Sequence, residues 1–384
     1  MSFEFATASR IIFGAGKLNE LKDQLNGSMK RVLLVRGNSS DAIPRVREIL
    51  SAQKIPFEEF ALHGEPTVDL ACEGADLALK HGCDLVIGLG GGSVLDAGKA
   101  IAALATNRKD VFDYLEVIGK GQPLTEKPLR YIAIPTTAGT GSEVTRNAVL
   151  ESPAHGLKVS LRSPMMLPSV ALVDPELTTS LPPEITASSG LDALTQLIEP
   201  FVSIKANPMT DAICREGILF AARSLRKVYE DGMNTSARED MALASLFGGL
   251  ALANAALGAV HGFAGPLGGM LHAPHGALCA KLLPLVMEAN LKALQERQPE
   301  HVSLKKYTEI AQIVTENKNA SAQDGVDWVH KLVRELNIPS LSTYRMSEAQ
   351  FPEAVQKTLN AGSYKGNPIP LNKEELISIL QKAL

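Results

Sequence analysis

One carboxylate, one amide and two imidazoles in the second half of the chain are residue types that can bind a catalytic divalent cation. Asp192 and Gln196 lie four residues apart in GLDALTQLIE, so a helix would place both side chains on one face. His261 and His275 flank a segment rich in glycine and proline, which predicts a break and a return of the chain that brings two helix ends together. Asp192, His261 and His275 suffice for a metal with one open position, and Gln196 could add a weak carbonyl ligand.

A simpler interpretation of the two histidines is that each imidazole only stabilises the end of a helix, since lone histidines are more often structural than metal-binding. The residue types and spacing do not decide between this interpretation and a metal site. His272, three residues before His275, lies in the same return of the chain and could reach the same site.

Two loops rich in glycine and hydroxyl side chains follow apolar runs in the first half of the chain. The first loop opens a helical pattern, where free backbone N–H groups and the helix dipole favour an anion such as a pyrophosphate. The second loop, 136–145, places hydroxyls at the end of the next strand, as nucleotide recognition in an open α/β sheet requires. Either loop alone could be a turn without a ligand, but the two together favour a bound nucleotide. The residues concerned are Gly91, Gly92, Ser93, Thr136, Thr137, Thr140 and Ser142.

The elements that must position these residues change character along the chain. Four β-branched runs, 31–37, 84–90, 131–137 and 169–175, predict strands, and 94–106 predicts a helix packed on their sheet. After the double proline at 182–183 the strand patterns end and long helical patterns follow, at 187–202, 208–230, 237–260, 304–316 and 323–336. We therefore expect a doubly wound, mostly parallel α/β domain over 1–182 and an all-helical domain over 183–384.

Composition excludes several classes of protein. The 384 residues carry 42 acidic and 38 basic side chains, and only 5% of them are aromatic. Nucleic-acid binders typically have an excess of basic residues and exposed aromatic side chains, so this composition does not indicate one. The four cysteines show no CxxC spacing and indicate reduced thiols in a cytoplasmic protein. The start of the chain lacks the pattern of a secretory signal, and the longest apolar run, 248–260, is far shorter than the ~20 residues that span a bilayer. We expect no nucleic-acid partner and no membrane.

Taken together, these motifs resemble the iron-containing, or group III, alcohol dehydrogenases. The resemblance runs from residue 11 almost to the C-terminus and rests on GGGSVLDAGKA (90–100), IPTTAGTGSEVT (134–145), VDPELTTSLPP (173–183), GLDALTQLIE (190–199), VHGFAGPLGG (260–269) and PHG (274–276). It implies a dinucleotide-binding α/β domain, a helical domain and an active site in the cleft between them. There a metal would polarise the oxygen of a small alcohol or aldehyde while hydride passes to or from NAD(P).

The resemblance also implies roles for individual residues. It implies metal ligands at Asp192, Gln196, His261 and His275. With the loops described above, it implies cofactor contacts at Gly37, Ser39, Ser40, Gly91, Gly92, Ser93, Asp96, Thr136, Thr137, Thr140, Ser142, Lys158 and Thr178.

Two departures from the family pattern concern the metal and the proton. Gln196 stands where the family usually has a third histidine ligand, so the metal is expected to be iron or a zinc held by an Asp-His-His set, or to be absent. Gly265 stands where many relatives place a histidine that relays the substrate proton. We expect His272 to take over that role.

A third departure concerns the cofactor. The first predicted strand lacks GxGxxG and ends in Gly37, followed by Ser39 and Ser40, where NAD-preferring relatives carry an aspartate that binds the ribose. Without that carboxylate a 2′-phosphate is not repelled and hydroxyls can bind it, although Asp41 would oppose it. We predict NADP(H) in preference to NAD(H).

Three other functions are weighed against a metal-assisted dehydrogenase. The missing ligand fits a metal-independent reductase of the maleylacetate reductase type, and the two missing histidines fit a cofactor-binding protein with weak turnover. A lyase like dehydroquinate synthase is disfavoured because 187–202 and 254–279 contain no arginine or lysine to grip a phosphorylated substrate. We also expect a homodimer, for which an early edge strand at 56–62 could pair across two copies.

Overall fold

The strands lie in the first half of the chain. The structure is a computed structural model that describes residues 2–25, 29–37 and 40–384. Within them the strands are β1 (Ile11–Phe13), β2 (Val32–Arg36), β3 (Phe57–Ala61), β4 (Leu85–Gly90), β5 (Arg130–Pro135), β6 (Asn147–Ser152), β7 (Leu157–Arg162) and β8 (Val170–Val173). Six of these described strands form one parallel sheet in the order β1-β8-β5-β4-β2-β3, and β6 pairs with β7 in an antiparallel hairpin.

Successive side chains of the central strands point to opposite faces of this sheet, and helices cover both faces. On β2, Leu33 and Val35 join one apolar cluster, whereas Val32 and Leu34 join another. Two helices contribute to the first cluster, α3 (Val68–Lys80) and α4 (Gly92–Leu104), and two to the second, α1 (Leu21–Gln24) and α2 (Ala42–Ala52). The strands are continuously apolar because both of their faces are buried. The predicted doubly wound parallel sheet is confirmed, and each of the four predicted strands is present within two residues at either end.

The rest of the chain is helical. Its helices are α5 (Pro183–Val202), α6 (Pro208–Glu230), α7 (Thr235–Ala255), α8 (Ala259–Leu271), α9 (His275–Arg297), α10 (Val302–Thr315), α11 (Ala322–Glu335), α12 (Phe351–Asn360) and α13 (Lys373–Ala383). By its internal contacts the chain divides into an α/β unit, Ala6–Thr137 with Gly141–Leu181, and a helical unit, Pro182–Leu384 with Ala138–Thr140 and a few N-terminal residues. The helices have apolar faces that pack into one buried cluster of the helical unit.

The helix predicted over 237–260 is present as α7 only as far as Ala255, because the chain breaks between α7 and α8. Ala256 takes a positive φ of 60° with ψ of 172°, and the two helices are bent by 101°. The missing Cβ of Gly258 would lie 2.8 Å from Oε1 of Glu199, so the chain passes close against that carboxylate. Among the described residues no single helix has both the length and the apolarity to cross a membrane, whereas α7 and α8 meet those two criteria only as a bent pair.

The predicted break and return between His261 and His275 is present, but it lies later than the glycines indicate. The glycine-rich stretch forms most of α8, which runs through Pro266 to Leu271. Glycine costs a helix roughly 1 kcal/mol relative to alanine, but burial of Val260, Phe263 and Leu267 offsets that cost. The return falls later, at residues 272–274, where His272 is left-handed with φ of 49°.

Candidate functional site

Helix α5 carries three buried polar side chains on one face. Asp192, Gln196 and Glu199 are separated by four and three residues, the spacing that aligns side chains along a helix. The helix begins with a proline at its first position, where the missing N–H has no helical partner to lose. All three side chains are buried, so they face the interior of the helical unit.

The first turns of α8 and α9 bring two imidazoles and a thiol to the same place. His261 is the third residue of α8, His275 is the first residue of α9, and Cys279 follows His275 by one helical turn. The two imidazole rings lie 5.4 Å apart between their centroids. The return at residues 272–274 therefore places both helix starts beside α5.

Four potential metal-ligand atoms converge here. Oδ1 of Asp192 lies 3.5 Å from Nε2 of His261 and 3.9 Å from Nε2 of His275. Sγ of Cys279 lies 3.6 Å from Nε2 of His275, and ligand atoms of all four residues lie within 4.8 Å of one another. Around a four-coordinate cation with bonds of about 2.0–2.3 Å, neighbouring ligand atoms are roughly 3.3–3.6 Å apart. The cluster therefore has close to the dimensions of a metal site.

Three buried polar atoms of this cluster have no hydrogen-bond partner. They are Oδ1 of Asp192, Nε2 of His261 and Oε1 of Gln196. An unpaired buried polar atom costs about 1–3 kcal/mol, so such atoms are rare in a folded protein unless a ligand binds them. A divalent cation would satisfy the carboxylate oxygen and the imidazole nitrogen together, and the residues present fit such an ion.

A second layer of contacts orients these ligands. Nδ1 of His261 lies 2.7 Å from Oε2 of Glu199, and Oε1 of Glu199 accepts a hydrogen bond of 2.6 Å from the N–H of Val260. Gln196 donates from Nε2 to Oδ2 of Asp192 at 3.0 Å. Carboxylates behind a histidine fix its tautomer and strengthen it as a ligand. Glu199 thus orients Nε2 of His261 toward Asp192. Because Gln196 binds Oδ2, the Oδ1 atom of Asp192 remains available to bind a metal.

The charges of the cluster are set by burial and by one another. Burial would raise the pKa of Asp192, but the neighbouring imidazoles of His261 and His275 outweigh it and hold the pKa of Asp192 below its ordinary value. Burial also opposes a charged His261, yet the carboxylates of Asp192 and Glu199 hold the pKa of His261 well above its ordinary value. Burial raises the pKa of the Cys279 thiol to about 12, so the thiol keeps its proton unless a cation displaces it.

The two positions discussed for the proton relay have contrasting surroundings. His272 is exposed at the C-terminal end of α8 and is not a member of the four-residue cluster. A Cβ at Gly265 would meet no atom within 4 Å, so the space that a side chain would occupy there is open.

The glycine loop after β4 contacts the start of the second loop. Gly91 is the N-terminal cap of α4, and Gly92 and Ser93 form its first turn. A Cβ at Gly91 would lie 3.2 Å from Cγ2 of Thr137, and the N–H of Thr136 donates to the carbonyl of Gly90 at 2.9 Å. The absence of a side chain at Gly91 therefore lets the two loops come together in front of the N–H groups of α4.

Asp96 and Lys99, on α4, hold the second loop from behind. Asp96 accepts hydrogen bonds from the hydroxyl of Ser142 and from the N–H of Val149, the latter at 2.9 Å. Lys99 is fully buried and donates to the carbonyl of Ser142 at 2.9 Å and to Oγ1 of Thr145 at 2.9 Å. Asp96 and Ser142 thus bind each other, and Lys99 is a further structural residue of this loop.

The remaining predicted cofactor residues are spread over several elements. Lys158, on β7, pairs with Glu65 at 3.0 Å, and Ser93 donates to the same carboxylate at 3.4 Å. Thr178 donates to the carbonyl of Pro175 within its own turn at 2.8 Å. Thr140 belongs to the segment that groups with the helical unit, Gly37 follows β2, Ser40 precedes α2, and Ser39 lies outside the described residues.

Sequence reasoning missed three residues of these sites. Glu199 follows Asp192 by seven residues and Cys279 follows His275 by four, so helical spacing was a usable signal for both. Lys99 lies in the helical pattern after the glycine loop, where its full burial could not be read from the sequence.

Comparison with known proteins decides the family. Residues 8–175 match the family described as "Iron-containing alcohol dehydrogenase", and residues 186–384 match "Fe-containing alcohol dehydrogenase family, C-terminal". The chain belongs to the iron-containing alcohol dehydrogenases. Alcohol dehydrogenase 4 of Saccharomyces cerevisiae is 34% identical to this iron-containing alcohol dehydrogenase over 380 residues, which cover 97% of this chain and 96% of the yeast protein.

Solved structures agree with this assignment. A crystal structure of 1,3-propanediol oxidoreductase matches this iron-containing alcohol dehydrogenase with a TM-score of 0.93 and 32% identity, covering 100% of both chains. Sulfoacetaldehyde reductase from Bifidobacterium kashiwanohense, solved in complex with NAD+, matches with a TM-score of 0.87 and 28% identity over 100% of this chain and 99% of that chain. The resemblance predicted from the motifs is confirmed, and the enzyme is an oxidoreductase that acts on CH–OH groups.

Proposed function

We propose that this enzyme interconverts a small alcohol and its aldehyde with a divalent cation at Asp192, His261 and His275 and a nicotinamide cofactor at the two glycine loops. The observation that carries the proposal is the convergence of Oδ1 of Asp192 and Nε2 of His261, both buried without a hydrogen-bond partner and 3.5 Å apart. When bound, the cation polarises the substrate oxygen as a Lewis acid and the nicotinamide exchanges hydride with the substrate carbon.

The residues of the chain prepare the site for this chemistry. Glu199 holds His261 in one tautomer. Gln196 donates its hydrogen bond to Oδ2 of Asp192 and therefore does not occupy Oδ1. Asp192 is 1% exposed and His261 is 8% exposed, so water is largely excluded from both ligands. Electrostatic interactions in such a buried site are stronger than in water.

The experiment is metal removal followed by reconstitution. We expect chelation to abolish aldehyde reduction across a panel of small aldehydes and added zinc or iron to restore it. Asp192→Asn should lower kcat/KM about a hundredfold or more, since loss of a Lewis acid costs several kcal/mol. The exposed Asp69→Asn is the matched control. Full activity without metal would favour a metal-independent reductase instead, and no turnover with any aldehyde would favour a cofactor-binding protein.

We propose NADP(H) as the preferred cofactor. Gly37 carries no carboxylate of its own after β2, and the Arg36 guanidinium donates to the carbonyl of Gly37 at 3.1 Å, although Arg36 also pairs with Glu59 at 2.7 Å. Ser40 contributes a hydroxyl nearby in the chain, whereas Asp41 opposes a phosphate. The NAD+ of the sulfoacetaldehyde reductase structure supports nicotinamide use and leaves the preference to be measured. A kcat/KM with NADH equal to or above that with NADPH would contradict the proposal.

We propose His272 as the proton relay of the reaction. It is exposed and lies three residues before His275, so it can exchange a proton with solvent close in sequence to a metal ligand. His272→Asn should lower kcat and change its pH profile. An unchanged rate with an unchanged profile would remove this role.

We also propose that the enzyme is a cytoplasmic homodimer. Among the described strands, β3 is an edge of the parallel sheet, and its outer backbone groups can pair with a second copy. The molar mass in solution, measured by light scattering, tests the dimer, and a monomer at micromolar concentration would contradict it.

A further inference from the structure

Cys279 is a buried thiol of the metal cluster to which the proposed function gives no role. It lies one turn after His275 on α9, so its side chain shares a face with that ligand. It is fully buried, and its Sγ is 3.6 Å from Nε2 of His275. With bonds of about 2.3 Å to sulfur and about 2.0–2.1 Å to nitrogen, a tetrahedral zinc ion separates these two atoms by roughly 3.6 Å. The observed separation is that of a hydrogen bond between the thiol and the imidazole, and it also fits two ligands of one cation.

The other candidate for the same coordination position is Gln196. Its Nε2 already donates to Asp192, and its Oε1 is a neutral amide oxygen. A thiolate is a far stronger ligand for zinc than an amide oxygen. A thiolate also balances charge: Asp192 and Cys279 together carry two negative charges against a divalent cation, which removes net charge from a buried site.

We propose that Cys279, as a thiolate, is the fourth protein ligand of the cation, with Asp192, His261 and His275, and that Gln196 orients Asp192 rather than binding the metal. The substrate oxygen would then bind as a fifth ligand, since catalytic zinc sites can expand to five-coordinate. The inference rests on the proposed function because it requires a cation at this cluster. On binding, the S–H bond of Cys279 breaks, a metal–sulfur bond forms and the proton leaves to solvent, with no change of oxidation state. A sulfur ligand favours zinc or cobalt over magnesium or manganese.

X-ray absorption of the zinc-loaded enzyme tests this directly. We expect a sulfur scatterer at about 2.3 Å from zinc together with nitrogen or oxygen scatterers at about 2.0–2.2 Å. The sulfur signal should persist in Cys72→Ser, which alters a cysteine outside the cluster, and disappear in Cys279→Ser. The cobalt-substituted enzyme should show a sulfur-to-cobalt charge-transfer band that Cys279→Ser lacks. We expect Cys279→Ser to bind zinc at least tenfold more weakly, which is about 1.4 kcal/mol.

The outcomes separate this inference from the proposed function. Zinc bound stoichiometrically with only nitrogen and oxygen neighbours would overturn the role of Cys279 and leave the metal-assisted dehydrogenase intact. Failure of the wild-type enzyme to retain any added zinc, iron or cobalt would overturn both. If Cys279→Ser does not fold, the wild-type and Cys72→Ser spectra still decide, because none of the other three cysteines belongs to the cluster.

Discussion

Glu199 binds His261 from the side opposite the metal cluster: Oε2 of Glu199 lies 2.7 Å from Nδ1 of His261. The same carboxylate accepts a hydrogen bond of 2.6 Å from the N–H of Val260. The first turn of α8 therefore helps to fix the Glu199 side chain, which α5 carries. One side chain thereby sets both the tautomer of a ligand and the position of the helix that carries it.

Replacement of this carboxylate should weaken metal binding. Glu199→Gln keeps the shape of the side chain but removes its charge. Outer partners of metal-binding histidines typically contribute 10- to 100-fold in metal affinity. We therefore expect the variant to bind the metal about tenfold more weakly. Metal competition with a chromophoric chelator measures this change. Glu184→Gln, at an exposed position near the start of the same helix, is the control. Equal affinities of the two variants would contradict an orienting role for Glu199.

The contact between Gly91 and Thr137 predicts a defect in cofactor binding. In Gly91→Ala the new Cβ would lie 3.2 Å from Cγ2 of Thr137 and would stand in front of the N–H groups that begin α4. We expect the Kd for the nicotinamide cofactor to rise roughly tenfold, or about 1.4 kcal/mol, with little change in metal content. Fluorescence titration with the reduced cofactor measures it.

The control for this variant is Gly362→Ala. Gly362 has a φ of −61°, and a Cβ there meets no atom within 4 Å, so alanine fits without strain. If Gly91→Ala bound the cofactor as tightly as Gly362→Ala, the loop after β4 would not be where the pyrophosphate binds.

The parallel sheet could be predicted because its signals are local, whereas the site depended on signals that are not. Central strands such as β4 are buried on both faces and give continuous apolar runs. The hairpin of β6 and β7 was missed, although β7, LKVSLR, alternates apolar and polar residues and buries Val159 and Leu161.

The break at Ala256 had no local signal. Alanine is a strong helix former, yet Ala256 takes a positive φ of 60°, two residues before Gly258 passes close to Glu199. Glu199 and Gly258 are far apart in sequence, so the residues around the break do not indicate this contact. The residue types of the metal site could therefore be predicted, but the position of the helix break could not.

Gln196 offers a test of metal affinity. Gln196→His introduces an imidazole, which binds iron and zinc better than an amide oxygen does. We expect the variant to bind both metals roughly tenfold more tightly, or by about 1.4 kcal/mol. Competition with a chromophoric chelator measures the affinity for each metal. An affinity equal to that of the wild type would mean that position 196 does not face the cation.

Glu143 predicts how the stability of the enzyme depends on pH. It is 2% exposed, and burial raises its pKa to about 7 from an ordinary value of 4.5, although Lys99 acts in the opposite direction. Below pH 4.5 the carboxyl is protonated in both the folded and unfolded chain, and it adds no pH dependence. Between pH 4.5 and 7 only the unfolded chain loses the proton, so this group lowers the free energy of unfolding as pH rises. Above pH 7 this decrease in the free energy of unfolding is complete and amounts to about 3 kcal/mol.

Glu143→Gln removes this titration while keeping the size of the side chain. The free energy of unfolding of the variant, relative to that of the wild type, should therefore rise by about 3 kcal/mol between pH 4 and pH 8. Urea unfolding at several pH values measures the difference, with the exposed Glu300→Gln as control. Because the comparison is between two pH values, a constant packing defect in the variant cancels. A difference that stays flat across this range would mean that Glu143 is ionised in the folded enzyme at pH 5, with its charge balanced by Lys99.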